Sequence, residues 1–211
     1  MARYTGPVCK LCRRAGEKLY LKGEKCYTSK CPMEQRGYPP GEHGQSRRFR
    51  HRETEYAMQL REKQKARYFY GVLERQFRRY FREAERRPGP TGENLVIILE
   101  TRLDNVVHRS GFANSRAQAR QLINHGHFDV NGKRVDIPSY LVEPGDVLSV
   151  HPTSRHLTYF RRLRESLQDA TPPGWLSLDP ESMEAQVLGL PSSEMVQVPF
   201  DERLIVDYYS R

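Results

Sequence analysis

The sequence lacks any uninterrupted apolar run near the roughly 18–20 residues of a membrane span, and its basic beginning lacks the apolar core of a signal peptide. A cytosolic location is the expectation that follows. Apolar residues fill only 37% of 211 positions, which allows one domain or two small ones with modest cores. There is no internal repeat and no long low-complexity segment. Also missing are an Asp-centred catalytic loop, a nucleotide-binding glycine motif and a Ser/His/Asp arrangement, which argues against an enzyme. Lone aspartates such as Asp104 and Asp146 read as cap or turn residues. Acid is scarce early: residues 1–90 hold 23 Lys+Arg against 10 Asp+Glu, a net of +13. Residues 91–164 hold 10 against 7, and residues 165–211 reverse the sign with 2 against 9. A polyanion should therefore meet the first half and the centre, while the tail avoids it.

Cysteine is confined to Cys9, Cys12, Cys26 and Cys31, spaced C-x2-C, 13 residues, C-x4-C. Two such knuckles aim four thiolates at one tetrahedral centre, so structural zinc is expected. Between Met1 and Gly44 apolar material is too sparse to offset chain entropy, and metal binding would supply the folding free energy. An iron–sulfur cluster on the same thiolates is the alternative. Disulfides are the rival reading, disfavoured in the cytosol. A redox C-x-x-C is weaker still, because Lys10 and Leu11 lie in no recognisable strand–helix context.

The connector from Tyr38 to Arg52 opens with Pro39-Pro40-Gly41, which forbids a helix there. Arg47, Arg48, Arg50 and Arg52, with His43, Gln45 and His51, make it a candidate RNA-contacting arm that orders on binding. With four cysteines at hand, the two histidines read as phosphate, sugar or water contacts rather than metal ligands. Thr54 suits the cap of a helix running to Tyr70-Gly71, densely set with Arg61, Lys63, Lys65 and Arg67. A second helix is expected over Val72–Arg87, with Leu73, Phe77, Tyr80, Phe81 and Ala84 as its core stripe and Pro88-Gly89-Pro90 as its stop. Asn94 to Leu103 reads as an apolar helix. Arg155 to Gln168 reads as another, with Leu157, Phe160, Leu163 and Leu167 on one side. A short terminal helix should follow Asp201.

The densest local signals lie between Glu100 and His151. Ser115 followed by Gln118 is a capping box, so a helix should begin at Arg116, and Gly126 suits its left-handed end. Arg116, Arg120 and Asn124 share one face of it; Ala119, Leu122 and Ile123 share the other. Phe128 and Val130 alternate up to Asn131-Gly132, a two-residue hairpin turn, and Lys133 and Arg134 start the returning strand. Val147 to His151 supplies a further strand after Pro144-Gly145-Asp146. The expected product is a small α/β module with exposed basic groups. His125 and His127 flank Gly126 and read equally as backbone contacts or as packed side chains.

The run Ser115-Arg116-Ala117-Gln118-Ala119-Arg120-Gln121-Leu122, with His125-Gly126, Val130-Asn131-Gly132 and Pro144-Gly145-Asp146, resembles the α-L RNA-binding motif. That motif also occurs in pseudouridine synthases, tyrosyl-tRNA synthetases and a heat-shock RNA-binding protein. Arg3-Tyr4-Thr5-Gly6-Pro7, Tyr38-Pro39-Pro40-Gly41, His43-Gly44, Leu60-Arg61-Glu62-Lys63-Gln64-Lys65 and Tyr208-Tyr209-Ser210-Arg211 are similar to the bacterial family of small-subunit ribosomal protein four. Some bacterial members lack the cysteines; here all four positions are filled. The resemblance implies an α+β, mostly helical fold. A zinc-binding segment over 1–44 would precede a helical domain over 45–98, completed by a terminal helix at about 199–211. A second domain over 99–198 would hold the α-L module, at about 100–164.

The resemblance further implies a non-enzymatic structural constituent of the small ribosomal subunit, binding the five-way junction of the rRNA 5′ domain. Nucleation of subunit assembly, a role in decoding accuracy, ribosomal proteins five and twelve as neighbours, and mRNA where it enters the subunit belong to the same expectation. The acidic tail would face protein rather than RNA. Expected RNA-contacting side chains in the first half are Arg3, Arg13, Arg14, His43, Gln45, Arg47, Arg48, Arg50, Arg52, Arg61, Lys63, Lys65 and Arg67. Those of the module are Arg116, Arg120, Gln121, Asn131, Lys133 and Arg134. On this reading Arg116→Ala with Arg120→Ala weakens rRNA binding without unfolding the protein. Two other classes fit the sequence less well. An RNA-modifying enzyme would need a catalytic domain for which the chain has no room. A zinc-containing DNA regulator would need a base-reading recognition helix and a dimer seam, and neither is evident.

Overall fold

The computed structural model describes residues 3–45, 54–192 and 195–211. The chain divides into two compact units, Met1–Leu95 with Val198–Arg211, and Val96–Gln197. Among the described residues no helix is long and apolar enough to cross a membrane.

In the first unit α1 (Cys9–Ala15), a 3-10 turn (Gly23–Tyr27) and α2 (Pro32–Gln35) surround the buried Leu19 and the cysteines. Thr54 caps α3 (Glu55–Phe69), its hydroxyl accepting from the Ala57 N–H at 3.2 Å. The end of α3 is a Schellman turn at Gly71: the Val72 N–H returns to the Arg67 carbonyl and the Gly71 N–H to that of Tyr68. Helix α4 (Glu74–Arg86) buries Phe77, Tyr80, Phe81 and Ala84, the expected stripe, while Leu73 is half-buried. The last helix of the chain, α9 (Glu202–Tyr209), is capped by Asp201, whose carboxylate accepts from the Arg203 N–H at 2.8 Å. It lies against α3 and α4. The Tyr209 ring sits 4.4 Å from that of Phe81, and its hydroxyl donates to Glu74 at 2.9 Å.

Between Thr91 and Val187 three sequence expectations are corrected. The apolar helix is α5 (Thr91–Glu100), three residues earlier at each end than Asn94–Leu103. Arg102 is extended, with ψ 136°, and a separate α6 (Leu103–Arg109) follows it. Asn94 lies inside α5, where its amide donates to the Ala84, Arg87 and Pro88 carbonyls. The region after Pro173, to which the sequence reading assigns no element before the terminal helix, contains β4 (Leu176–Asp179) and β5 (Glu184–Val187). These extend the module's strands β1 (Phe128–Val130), β2 (Lys133–Arg134) and β3 (Val147–Val150) into one antiparallel sheet ordered β2-β1-β3-β5-β4. Its register pairs Val130 with Lys133, Phe128 with Val150, Leu148 with Ala185 and Leu176 with Val187.

Helix α7 (Arg116–Asn124) begins where the capping box places it. Helix α8 (Thr158–Leu167) buries Phe160, Leu163 and Leu167 but leaves Leu157 exposed before its first turn. Phe112, Phe128 and Phe160 form an aromatic core, with Phe128 5.7 Å from Phe112 and 6.1 Å from Phe160. Strand β1 is buried at all three positions rather than alternately. Asp129 is accommodated because His151 Nδ1 donates to its carboxylate at 2.8 Å.

Candidate nucleic-acid interface and cysteine cluster

The α7–hairpin surface is built by local chemistry. Ser115 Oγ accepts from the Gln118 N–H at 3.3 Å, and Gln118 Oε1 accepts from the Asn114 N–H at 2.9 Å, one residue before the usual partner of a capping box. At the other end Gly126 (φ 69°) carries a second Schellman turn, its N–H reaching the Ile123 carbonyl at 2.7 Å and that of His127 reaching Leu122 at 3.2 Å. A Cβ at Gly126 would collide with the Arg134 guanidinium, which lies over it and donates to the His125 carbonyl at 3.1 Å. The C-terminal end of α7 thus orients an exposed cation. Asn131 (φ 51°) and Gly132 (φ 73°) form the two-residue turn. Lys133, Arg134 and Gln121 are exposed. Asn131 is exposed as well, but its amide is tied internally, donating to Asp146 at 2.7 Å and accepting from the Val147 N–H at 2.9 Å.

The two arginines of α7 differ from the expected solvent-facing pair. Arg120 is 6% exposed and donates to Asp104 at 3.2 Å. The same carboxylate takes a two-pronged contact from Arg102, at 3.0 and 2.6 Å. Arg116 is half-buried and donates to Asn105 Oδ1 at 2.7 Å, while Asn105 and Arg109 both bond the fully buried Glu100. Asp104 is therefore the acid of a buried ion cluster and no mere cap residue. Sequence reasoning missed this network. The available signal was Glu100, Asp104, Asn105 and Arg109, polar residues recurring at helical spacing within an otherwise apolar stretch.

Nearby, His127 Nδ1 meets Ser154 Oγ at 2.8 Å and its ring packs on Phe160, so this histidine is a packed one. Burial, then electrostatic interaction with His125, Arg134 and His151, lowers its pKa. His108 is lowered further, to about 4, by burial and the Arg116 charge, with Arg109 adding, against its hydrogen bond to the Ala113 carbonyl and the Glu100 charge.

In the first unit the basic residues of α3 are less open than their density suggests. Arg61 is exposed. Lys63 is 4% exposed, paired with Glu74 at 2.8 Å and set 4.7 Å above the Tyr208 ring. Lys65 pairs with Glu17 and Glu62, and Arg67 with Gln64 and Glu74. Burial raises the Glu74 pKa, but hydrogen bonds from Lys63 and Tyr209 and the charges of Lys63 and Arg67 outweigh it, and the net shift is downward. Arg13 holds the proline segment, donating to the Tyr38 and Pro39 carbonyls with its guanidinium 4.8 Å above the Tyr38 ring. Arg3, Arg14, His43 and Gln45 are exposed. Arg47, Arg48, Arg50, His51 and Arg52 lie outside the described residues.

Cys9, Cys12, Cys26 and Cys31 are all free thiols lining one cavity, with Val8, Leu21, Lys22, Lys25, Pro32 and Met33. Cys9 and Cys12 come from α1, Cys26 from the 3-10 turn, and Cys31 precedes Pro32 at the start of α2. The Lys22 N–H donates to Cys26 Sγ at 3.3 Å, an orienting bond of the kind that supports a sulfur ligand. Burial raises the Cys12 thiol, the Leu19 backbone opposes it, and the other three cysteines raise it again. Four thiols around one cavity fit a soft cation as a donor set. Among the described residues, no group of three or more His, Cys, Asp or Glu side chains is drawn up to hold a metal ion as the chain stands.

The family described as Ribosomal protein S4/S9 N-terminal domain matches residues 3–100, and the S4 domain family matches residues 101–148. Fold, surface and matches define an S4-domain protein of the RNA-binding class, not an enzyme. The small ribosomal subunit protein uS4 of Halothermothrix orenii is 58% identical and that of Pelotomaculum thermopropionicum 56%, each over 211 residues and 100% of both chains. Protein uS4A of Symbiobacterium thermophilum is 59% identical over 213 residues, again across 100% of both. The chain belongs to the ribosomal protein S4 family.

Proposed function

We propose that this chain is a structural, rRNA-binding constituent of the small ribosomal subunit in the cytoplasm. The observation that carries the reading is end-to-end likeness to relatives named small ribosomal subunit protein uS4. The exposed Lys133–Arg134 edge beside the capped helix α7 gives it a physical basis. Cations on a rigid hairpin meet phosphate with little ordering cost, and folded RNA is read chiefly by shape and backbone. The ligand is the 5′-domain junction of small-subunit rRNA, whose helices the protein fixes in one geometry. That act nucleates assembly of the subunit body and contributes to translational accuracy. Ribosomal proteins five and twelve, and mRNA where it enters the subunit, are its neighbours; the acidic residues after 165 suit protein contact better than RNA. Lys133→Ala should weaken binding to a junction transcript while leaving thermal unfolding unchanged, and adding Arg134→Ala should weaken it further. Unaltered affinity would remove the hairpin from the interface.

Zinc is the ion the cysteine cavity is proposed to hold, through Cys9, Cys12, Cys26 and Cys31. Bound there, it supplies charge to four thiolates and folding free energy to a segment poor in apolar residues. Elemental analysis of the purified chain tests this and separates zinc from iron. One zinc per chain is the expected result.

A further inference from the structure

The segment from Lys18 to Lys30 carries four lysines against the single acid Glu24, and it holds an aromatic pair that the interface above does not use. Tyr20 and Tyr27 stack with ring centroids 4.9 Å apart and planes 29° from parallel. Neither belongs to a core: Tyr20 is 40% exposed and Tyr27 75%. With three quarters of its surface in solvent despite the stack, Tyr27 has room for a further planar partner.

The pair is also held in place. Tyr20 stands at φ 51°, a costly conformation for a bulky residue. Such strain persists where the surroundings over-determine it and is concentrated at ligand-binding positions. Tyr27 closes the 3-10 turn Gly23–Tyr27, directly after Cys26, whose side chain lines the cysteine cavity. Lys22 and Lys25 are exposed and line the rim of that cavity.

We propose that Tyr27, backed by Tyr20, is a stacking platform for one unpaired RNA base, with Lys22 and Lys25 meeting the adjoining phosphates. Aromatic faces accept any base, and neighbouring cations favour a nucleic acid over a neutral protein surface. The proposal rests on the RNA-binding reading and deepens it: this corner of the first unit recognises a flipped-out or single-stranded nucleotide rather than a helix backbone.

The test uses the full chain and a transcript of the rRNA 5′-domain junction, with tRNA and duplex DNA as competitors. Tyr27→Ala should weaken junction binding roughly 5- to 150-fold, the loss expected for one stacked base. Its salt dependence should stay unchanged, because no phosphate contact is lost. Tyr27→Phe keeps the ring and should bind like the parent. In Tyr27→Trp, indole fluorescence should be quenched as the junction binds, beyond any change that Trp175 alone shows in the parent, a signal that a purely structural tyrosine would not give. If the parent prefers the junction over both competitors while Tyr27→Ala binds as tightly, or Tyr27→Trp shows no quenching, the platform is overturned and the RNA-binding reading stands. If the parent shows no such preference, both fall.

Discussion

Replacing Arg120 by alanine tests whether this arginine serves the interface or the interior. It is 6% exposed, and its partner Asp104, 3% exposed, sits between it and Arg102, itself 1% exposed. Arg120→Ala removes a charge-assisted buried hydrogen bond worth about 1.5–3 kcal/mol, while the two-pronged contact from Arg102 keeps Asp104 paired. Against the roughly 5–15 kcal/mol that holds a domain together, that is a large fraction. Asp104→Ala should cost at least as much, since its carboxylate serves two guanidinium groups. Urea unfolding at neutral pH measures both, and the double variant should lose less than the sum of the singles. A loss under about 1 kcal/mol for Arg120→Ala would mean the cluster is worth no more than a surface pair, and the account of α7 would be wrong. The sequence-based expectation that Arg116→Ala with Arg120→Ala spares folding is revised accordingly.

Three further expectations follow from single sites. His108 has a folded pKa of about 4 against an unfolded value near 6.5, so below that value the unfolded chain binds the extra proton. Stability should be full above pH 6.5 and fall by up to about 3 kcal/mol as pH drops toward 4, and His108→Gln should remove that share of the slope in urea titrations at pH 7 and pH 5. Gly126→Ala places a side chain at φ 69° and against the Arg134 guanidinium, which should cost about 1–2 kcal/mol and lower junction affinity by displacing Arg134; unchanged stability would contradict the turn geometry. Chelation of the purified chain should lower the thermal midpoint and expose the four cysteines to a thiol reagent, and Cys26→Ser should mimic it; a chelator-insensitive midpoint would count against structural metal.

The features legible in the sequence are those written in a few adjacent residues. Thr54, Ser115 with Gln118, Gly126, and Asn131-Gly132 each specify a cap or turn through local backbone chemistry, and each stands where it was read. The buried stripe of α4 was legible because Phe77, Tyr80, Phe81 and Ala84 keep helical spacing over about two turns. Partners distant in sequence were not. Nothing near Lys63 announces Glu74 and Tyr208, and nothing near Arg120 announces Asp104, so cations that look available on a helical wheel are internal. Strands β4 and β5 are four residues each, too short for alternation to stand out, and they gain definition only from pairing, β5 with β3 and β4 with β5. The break between α5 and α6 escaped notice because Thr101 and Arg102 carry neither glycine nor proline. Their backbone is set instead by the Val142 N–H, which bonds the Thr101 carbonyl, and by the bridge between Arg102 and Leu141.

The most direct test of the central claim is equilibrium binding to a transcript of the 5′-domain junction across a salt series, with tRNA and duplex DNA competing. Tight binding that survives both competitors, and weakens steeply with salt as released counterions require, is the expected result. Equal binding to all three nucleic acids would leave only a generic basic protein and contradict the proposed role.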